Sequence, residues 1–280
     1  MFKKILVPLD GSENAERVLP WVRLYGSASK SLIVPLRVVD PALRSSRDIA
    51  MEKNDAGEYL RGVFRELNFQ GMPVRPLIRL GDPADTIVET AERYGCDLVA
   101  LTTRGGSPVA RWVIGGTAEK LLRRSHVPVL LTQSHTAPPK QARVRRIVVP
   151  LDGSALAERI LPWVRELARF HRARIQFLHV MPRRKPDFLV KFLSNCAALS
   201  KRVEAECANL KARNIRASLQ VRRGDPADEI LRAAAEPASM VAMTTHGLGG
   251  FDRFVYGSVA EKVIHSADTA VFVHKGAAPD

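Results

Sequence analysis

The chain has 280 residues, 46% hydrophobic and 26% charged, enough for two ordinary domains that each bury a core. No apolar run approaches the roughly 18 residues that span a bilayer, which argues against a membrane helix, and Phe2-Lys3-Lys4 leads into a strand instead of a signal peptide, so a cytoplasmic location is expected. The net charge of +14 divides as +5 over residues 1–140 and +9 over 141–280 and admits a polyanionic partner, but the basic residues read as scattered, and the clusters at 143–146, 183–185 and 222–223 make no nucleic-acid motif.

In chain order, Ile5-Leu6-Val7-Pro8-Leu9 reads as a strand buried on both faces, with Asp10-Gly11-Ser12 as the turn at its carboxyl end. Residues 14–28 follow helical spacing despite Pro20, and 31–39 read as a second strand that Pro35 makes imperfect or bulged. A helix is expected over 48–69, weakened by Gly57 and Gly62, and a third strand over 74–78. Gly81-Asp82-Pro83-Ala84-Asp85 starts the next helix, with Asp82 as N-cap and Pro83 at the first helical position; capping explains this acidic pair better than catalysis does. That helix runs to Tyr94, and Gly95 ends it. A fourth strand over 97–101, a glycine loop, a helix over 117–125 and a strand over 129–132 complete a β-α-β-α-β-α-β-α-β unit, the order of an open parallel sheet covered by helices.

The programme then restarts. Residues 134–142 read as a linker between domains at 1–133 and 143–276, and Ile147-Val148-Val149-Pro150-Leu151-Asp152-Gly153-Ser154 repeats residues 5–12. Leu161-Pro162-Trp163 repeats Leu19-Pro20-Trp21, and Gly224-Asp225-Pro226 repeats Gly81-Asp82-Pro83. The glycine loops match as well: Gly105 and Gly115 recur as Gly247 and Gly257, 142 residues later in each case. A glycine-rich loop that runs into a helix start lets backbone approach a ligand and offers free N–H groups, which suits a phosphate.

Ligands of open α/β sheets sit outside the carboxyl ends of the strands. There Asp10 or Asp152 can accept from ribose hydroxyls, the main chain around Val38 or Val180 can pair with a base edge, and the loop and helix start can hold phosphates. Neither of the two commonest nucleotide motifs, the P-loop and the Gly-x-Gly-x-x-Gly turn, is present. Ser12 and Ser154 fit turn hydrogen bonding, and His126, His135, His171, His179, His265 and His274 have no metal-ligand spacing. Asp10, Asp152 and His246 are the only candidates near the loops for hydrolysis, and Arg104 replaces His246 in the first half, so the reading stops at a binding module or, at most, a slow ATPase. Arg111 and Arg253 read as solvated loop residues. Cys96, Cys196 and Cys207 support neither disulfides nor a metal site, and the last two are expected as buried thiols on one helix face.

The Leu-Val-Pro-Leu-Asp-Gly-Ser opening, the Gly-Asp-Pro helix start and the Gly-x9-Gly-Ser loop resemble the universal stress protein family, in tandem form, over nearly the whole chain. The resemblance implies two Rossmann-like α/β domains, each a five-stranded parallel sheet of order 3-2-1-4-5, and ATP, with or without Mg²⁺, held at the strand-four loop. Carried onto this sequence, the second-domain site is Pro150, Asp152, Val180, Met243, Gly247, Gly257, Ser258 and Val259, with Thr244 where the family has its first glycine. The first-domain site is Pro8, Asp10, Val38, Leu101, Gly105 and Gly115, with Thr102 in place of that glycine and Gly116 in place of the serine or threonine, where Thr117 can substitute. A threonine at that first position is expected to add a side chain near the phosphates that either narrows the pocket or contributes a hydroxyl contact, and the second domain ranks as the better site. The resemblance also implies pairing of the two halves through their fifth strands and a homodimer. The competing reading is an interaction protein with degenerate loops and an acidic or polyanionic partner.

Overall fold

The computed structural model describes residues 1–42, 45–69, 71–103, 116–133, 144–181, 189–245 and 257–275. The chain forms two compact units, Met1–Pro138 and Pro139–Asp280. The first contains β1 (Lys4–Pro8), α1 (Glu13–Glu16), α2 (Leu19–Ser29), β2 (Leu32–Val39), α3 (Ser46–Phe69), β3 (Leu77–Leu80), α4 (Pro83–Arg93), β4 (Leu98–Thr102), α5 (Gly116–Arg124) and β5 (Val129–Thr132). The second contains β6 (Arg146–Pro150), α6 (Ala155–Glu158), α7 (Leu161–His171), β7 (Arg174–Met181), α8 (Leu189–Ala212), β8 (Ala217–Arg223), α9 (Pro226–Ala234), β9 (Ser239–Thr244), α10 (Ser258–Ser266) and β10 (Ala270–His274).

Within each unit the strands pair in parallel, in the orders β3-β2-β1-β4-β5 and β8-β7-β6-β9-β10, as the family resemblance implied. Parallel pairing requires a crossover after each strand, and the crossover helices cover both faces of the sheet. The central strands are accordingly apolar throughout: Ile5, Leu6, Val7, Ile147, Val148 and Val149 are all 0% exposed. Among the described residues no helix is long and apolar enough to cross a membrane.

Three expectations are corrected. The helix expected over 14–28 is two helices, because that stretch carries two start signals. Ser12 caps α1, its Oγ accepting from the Ala15 N–H at 3.2 Å, and Pro20 sits in the first turn of α2, where a missing N–H costs nothing. Ser154 and Pro162 do the same for α6 and α7. Pro35 makes no bulge. By alternation its nitrogen faces β3, where the ladder is open between the Ile33–Val74 bridge and the Leu36–Leu77 pair, and the register is the same on both sides. For the same reason the third strand begins at Leu77 and not at Val74.

The Gly-Asp-Pro starts behave as capping predicts. Asp82 accepts from the Ala84 and Asp85 N–H groups, and Asp225 from Asp228 at 3.1 Å. A lysine from the following helix closes each cap: Lys120 lies 3.2 Å from Asp82, and Lys262 lies 3.2 Å from Asp225 and 2.8 Å from Asp228. The Asp228 N–H first, and then Lys262, hold the Asp225 carboxyl below its ordinary range. A lowered folded-state pKa gives stability that is complete above the unfolded value, about 3.9, and is lost as pH falls through the folded one. Asp225→Ala is therefore expected to cost about 1 kcal/mol at neutral pH, and Asp225→Asn to keep the cap while losing its acid dependence. Urea midpoints measured at neutral pH and near pH 3 check both; an Asn variant as acid-sensitive as wild type at this helix would contradict the assignment.

Candidate functional site

In the first unit the carboxyl ends of β1, β2 and β4 open onto a cavity of about 200 Å³. Pro8, Leu9 and Asp10 form one wall, Leu36, Arg37 and Val38 a second, and Leu101, Thr102 and Thr103 a third; Thr117 and Ala118 close it from the start of α5. Asp10 is shaped by its turn, since Ser12 donates to its Oδ1 from both the backbone N–H, at 3.0 Å, and Oγ, at 2.6 Å. The β1 ladder runs out beside Val38. Leu36 still accepts from the Leu9 N–H at 2.9 Å, and by alternation the Val38 N–H and C=O point to the same side, where β1 has already ended. Main-chain groups in that position can read a planar hydrogen-bonding edge. Beyond Asp10 the wall is charged: Arg37 lies 3.4 Å from Glu52, and Tyr59 is held above its ordinary pKa first by burial and then by Glu16 and Asp10.

The second unit repeats this geometry with different side chains. Leu151 donates to the Leu178 carbonyl at 2.9 Å, Ser154 donates to Asp152 Oδ1 at 2.9 Å, and Val180 follows on β7 as Val38 does on β2. His179 stands where the first unit has Arg37; it is buried, and its Nδ1 lies 2.7 Å from the Leu151 carbonyl oxygen. Arg202 reaches Glu158 at 2.8 Å and the Gly153 carbonyl at 3.2 Å. Gly257 caps α10 with no side-chain bond and is pinned by its N–H to the Thr245 carbonyl at 3.0 Å, which leaves the first amides of α10 facing the strand ends. Its backbone, at φ −60° and ψ 137°, suits any residue, and a Cβ added there would meet nothing nearer than the Thr245 oxygen at 3.8 Å. A Cβ on Gly116 would meet nothing within 4 Å among the described residues. Among the described residues, nothing packed against either position requires a glycine.

The universal stress protein family model matches this chain twice, over residues 1–133 and 143–275. The chain belongs to the universal stress protein family. A universal stress protein of Mycolicibacterium smegmatis is 23% identical over 289 residues, covering 96% of this chain and 96% of its own length. One from Thermus aquaticus is 32% identical over 145 residues, 48% of this chain and all of its own length. In three dimensions the chain is similar to a universal stress protein from Archaeoglobus fulgidus, with a TM-score of 0.79 at 22% identity, covering 98% of this chain and 99% of that one. A further structure, from Pseudomonas aeruginosa, has a TM-score of 0.69 at 21% identity over 98% of this chain and 93% of that one.

Within this universal stress protein fold, the first unit brings Pro8, Asp10, Val38, Leu101, Thr102 and Thr117 to one cavity. Gly105, Gly115 and Gly247, the rest of both loops with Arg104, Arg111, His246 and Arg253, and the linker expected at 134–142 lie outside the described residues. Of the two outcomes expected for Thr102, the side chain lines the cavity, but its Oγ1 is buried, 3.4 Å from the Ala15 carbonyl and 3.3 Å from Thr132 Oγ1, so the hydroxyl braces β4 against its neighbours. Cys207 is half-buried and not fully buried as expected, while Cys96 is buried, its thiol pushed up to about 11 by that burial. Sequence reasoning missed Ala15, Pro83 and Ile87, which also line the cavity. The available signal was the i, i+4 spacing of Pro83 and Ile87 at a helix start next to the strand ends.

Proposed function

We propose that this universal stress protein binds an adenine nucleotide, ATP with or without Mg²⁺, and acts as a regulatory binding module in a stress response. The observation that carries this reading is the glycine at each helix start, Gly116 and Gly257, which neither the backbone conformation nor packing against the described residues requires. A glycine that the fold does not need, next to free helix amides, leaves room for an anionic ligand to approach the main chain. Asp10 or Asp152 would hold the ribose, and the Val38 or Val180 main chain the base. The first-unit cavity of about 200 Å³ is smaller than the ~300–1,000 Å³ of a complete small-molecule site, so it suits the nucleoside part, with the phosphates extending toward α5. Ser258 adds a hydroxyl at the second helix start where Gly116 has none, which makes the second unit the preferred site. A homodimer in solution is part of the proposal, checked by light scattering.

The test begins with the purified full chain, denatured to release any bound nucleotide for chromatographic identification. ATP is then titrated into nucleotide-free protein with and without Mg²⁺, and free phosphate is followed in the same sample. Adenine nucleotide at one or two equivalents per chain is expected, and the phosphate assay separates binding from slow hydrolysis. No nucleotide after purification, and no uptake on titration, would end this reading.

A further inference from the structure

The +9 charge of the second half is not scattered once the strands are in register. At the amino ends of β6, β7 and β8, opposite the strand ends proposed to face the nucleotide, Arg174 and Arg216 are level on adjacent strands, and Arg145 lies one residue before Arg146, the register partner of Arg174. The Arg174 N–H donates to the Arg145 carbonyl at 3.0 Å, and the Ile175 N–H to the Arg216 carbonyl at 2.8 Å. Neighbouring strands lie about 4.8 Å apart, so Arg174 and Arg216 are adjacent on one face, while Arg145, one residue out of register, belongs to the opposite face at the same end of the sheet. Arg172 flanks it at the left-handed end of α7, and Lys211 and Arg213 flank it at the end of α8, before Asn214 turns the chain with φ 59°. All six cations are exposed. Among the described residues Arg172, Lys211, Arg213 and Arg216 pair with no carboxylate. The nearby acids lie to the other side: Glu236, before β9, joins Arg146 and Arg174, and Asp268 precedes β10. Glu166 is taken up by Arg169.

The first unit has no such cluster, although it keeps a cation at Lys30, which ends α2 in the left-handed conformation as Arg172 ends α7. The register puts Lys3, Leu32 and Pro73 where Arg145, Arg174 and Arg216 stand, and Asn68 where Lys211 stands. Asp97, which accepts from the Lys3 and Lys4 N–H groups, is replaced by Ser239. Two halves that share a fold therefore differ at this end by a concentrated positive charge, which packing does not require.

We infer that the β6–β8 amino-terminal face of the second unit binds the phosphate backbone of a nucleic-acid duplex without reading its bases. Exposed guanidinium groups clustered at one end of the sheet suit phosphate oxygens, which each can meet with paired N–H donors. Unpaired bases would need aromatic platforms, and the nearest aromatic in sequence, Phe170, is half-buried with its ring edge-on to His171 at 4.9 Å. A membrane surface would be met by apolar side chains beside the cations, yet among the described residues of the second unit the exposed large hydrophobic residue is Val221, toward the other end of β8.

The test uses the full chain and a fluorescently labelled DNA duplex of about 20 base pairs, with anisotropy followed between about 50 and 200 mM salt. With about four to six phosphates neutralised, the log–log slope of affinity against salt is expected near −4 to −5. The triple variant Arg172→Gln/Arg213→Gln/Arg216→Gln removes three exposed cations that have no carboxylate partner among the described residues. Its slope is expected to be shallower by about 2.7, and its low-salt affinity at least ~30-fold weaker. Circular dichroism confirms its fold, and Arg145→Gln/Lys211→Gln replaces it if the triple variant does not fold. Lys3→Gln/Lys30→Gln, in the first unit, is expected to bind within about twofold of wild type. Gly257→Glu is also expected to retain duplex binding, which keeps this result separate from the nucleotide proposal. Wild-type affinity in the triple variant, an equal loss in the Lys3/Lys30 control, or capture of phosphatidylserine vesicles without duplex binding would each overturn the inference.

Discussion

Arg146→Ala is expected to destabilise the second unit by about 2–5 kcal/mol, the scale for leaving two buried polar groups without partners. The Arg146 side chain is 5% exposed at the start of β6 and ties together three neighbouring elements. Its Nη1 donates to Gln176 on β7 at 3.0 Å and pairs with Glu236 at 2.6 Å. Its Nε and Nη2 reach Ser239 Oγ on β9 at 3.3 and 3.1 Å, and Nη2 also donates to the Ala233 carbonyl at the end of α9. Truncation strands the Ala233 carbonyl and the Ser239 hydroxyl in an apolar setting, and each unpaired group costs about 1–3 kcal/mol. Glu236, half-open to water, can re-solvate and adds little to the loss. The first unit solves the same position with Lys4, whose Nζ donates to the Tyr94 carbonyl while its N–H donates to Asp97. Arg146→Lys should therefore recover part of the loss but not all, since a lysine cannot reach Gln176, Ser239 and Ala233 together. Hydrogen exchange locates the effect: β6 and β9 should lose protection while β1 and β4 keep theirs. An alanine variant within about 0.5 kcal/mol of wild type would show that the network contributes no net stability.

Much of the fold was legible because its signals are local. Uninterrupted apolar runs marked the central strands, and Gly-Asp-Pro marked two helix starts that the structure caps as expected. Even the division of residues 14–28 was written in Ser12 and Pro20, two start signals that a single periodicity count overlooked. What escaped depended on register. Pro35 cannot be judged until the strand on its donor side is known to leave a gap there. Arg145, Arg174 and Arg216 are far apart in sequence and come to the same end of the sheet only through parallel pairing, so the charge excess looked diffuse. The site divides in the same way. Asp10 and Val38 follow from strand ends, and the i, i+4 spacing of Pro83 and Ile87 marks one face of α4, whereas the wall made by Ala15 depends on how α1 packs, which no spacing in the chain specifies.

Gly257 offers the most direct separation of fold from ligand. With φ −60° and a 3.8 Å clearance to the Thr245 carbonyl, alanine fits the observed backbone. Gly257→Ala should leave stability within about 1 kcal/mol, the difference coming from alanine being a poorer N-cap. Its methyl would nevertheless stand where a phosphate is proposed to meet the amides of α10, and ATP affinity at this unit should fall by about tenfold, or ~1.4 kcal/mol. Gly257→Glu adds both bulk and a like charge beside the phosphates, so a loss of at least about 100-fold is expected, equivalent to ~2.7 kcal/mol. Titration of ATP into both variants, with thermal melting of each, reads ligand and fold independently. If both units bind, Gly257→Glu should reduce the stoichiometry from two equivalents to one; if only the second binds, from one to none. The alanine variant carries the argument, because a glutamate can weaken binding at a distance through its charge. Unchanged ATP affinity in Gly257→Ala and Gly257→Glu, with both proteins folded, would mean that the phosphates do not rest on this helix. The glycine would then need an explanation other than a nucleotide.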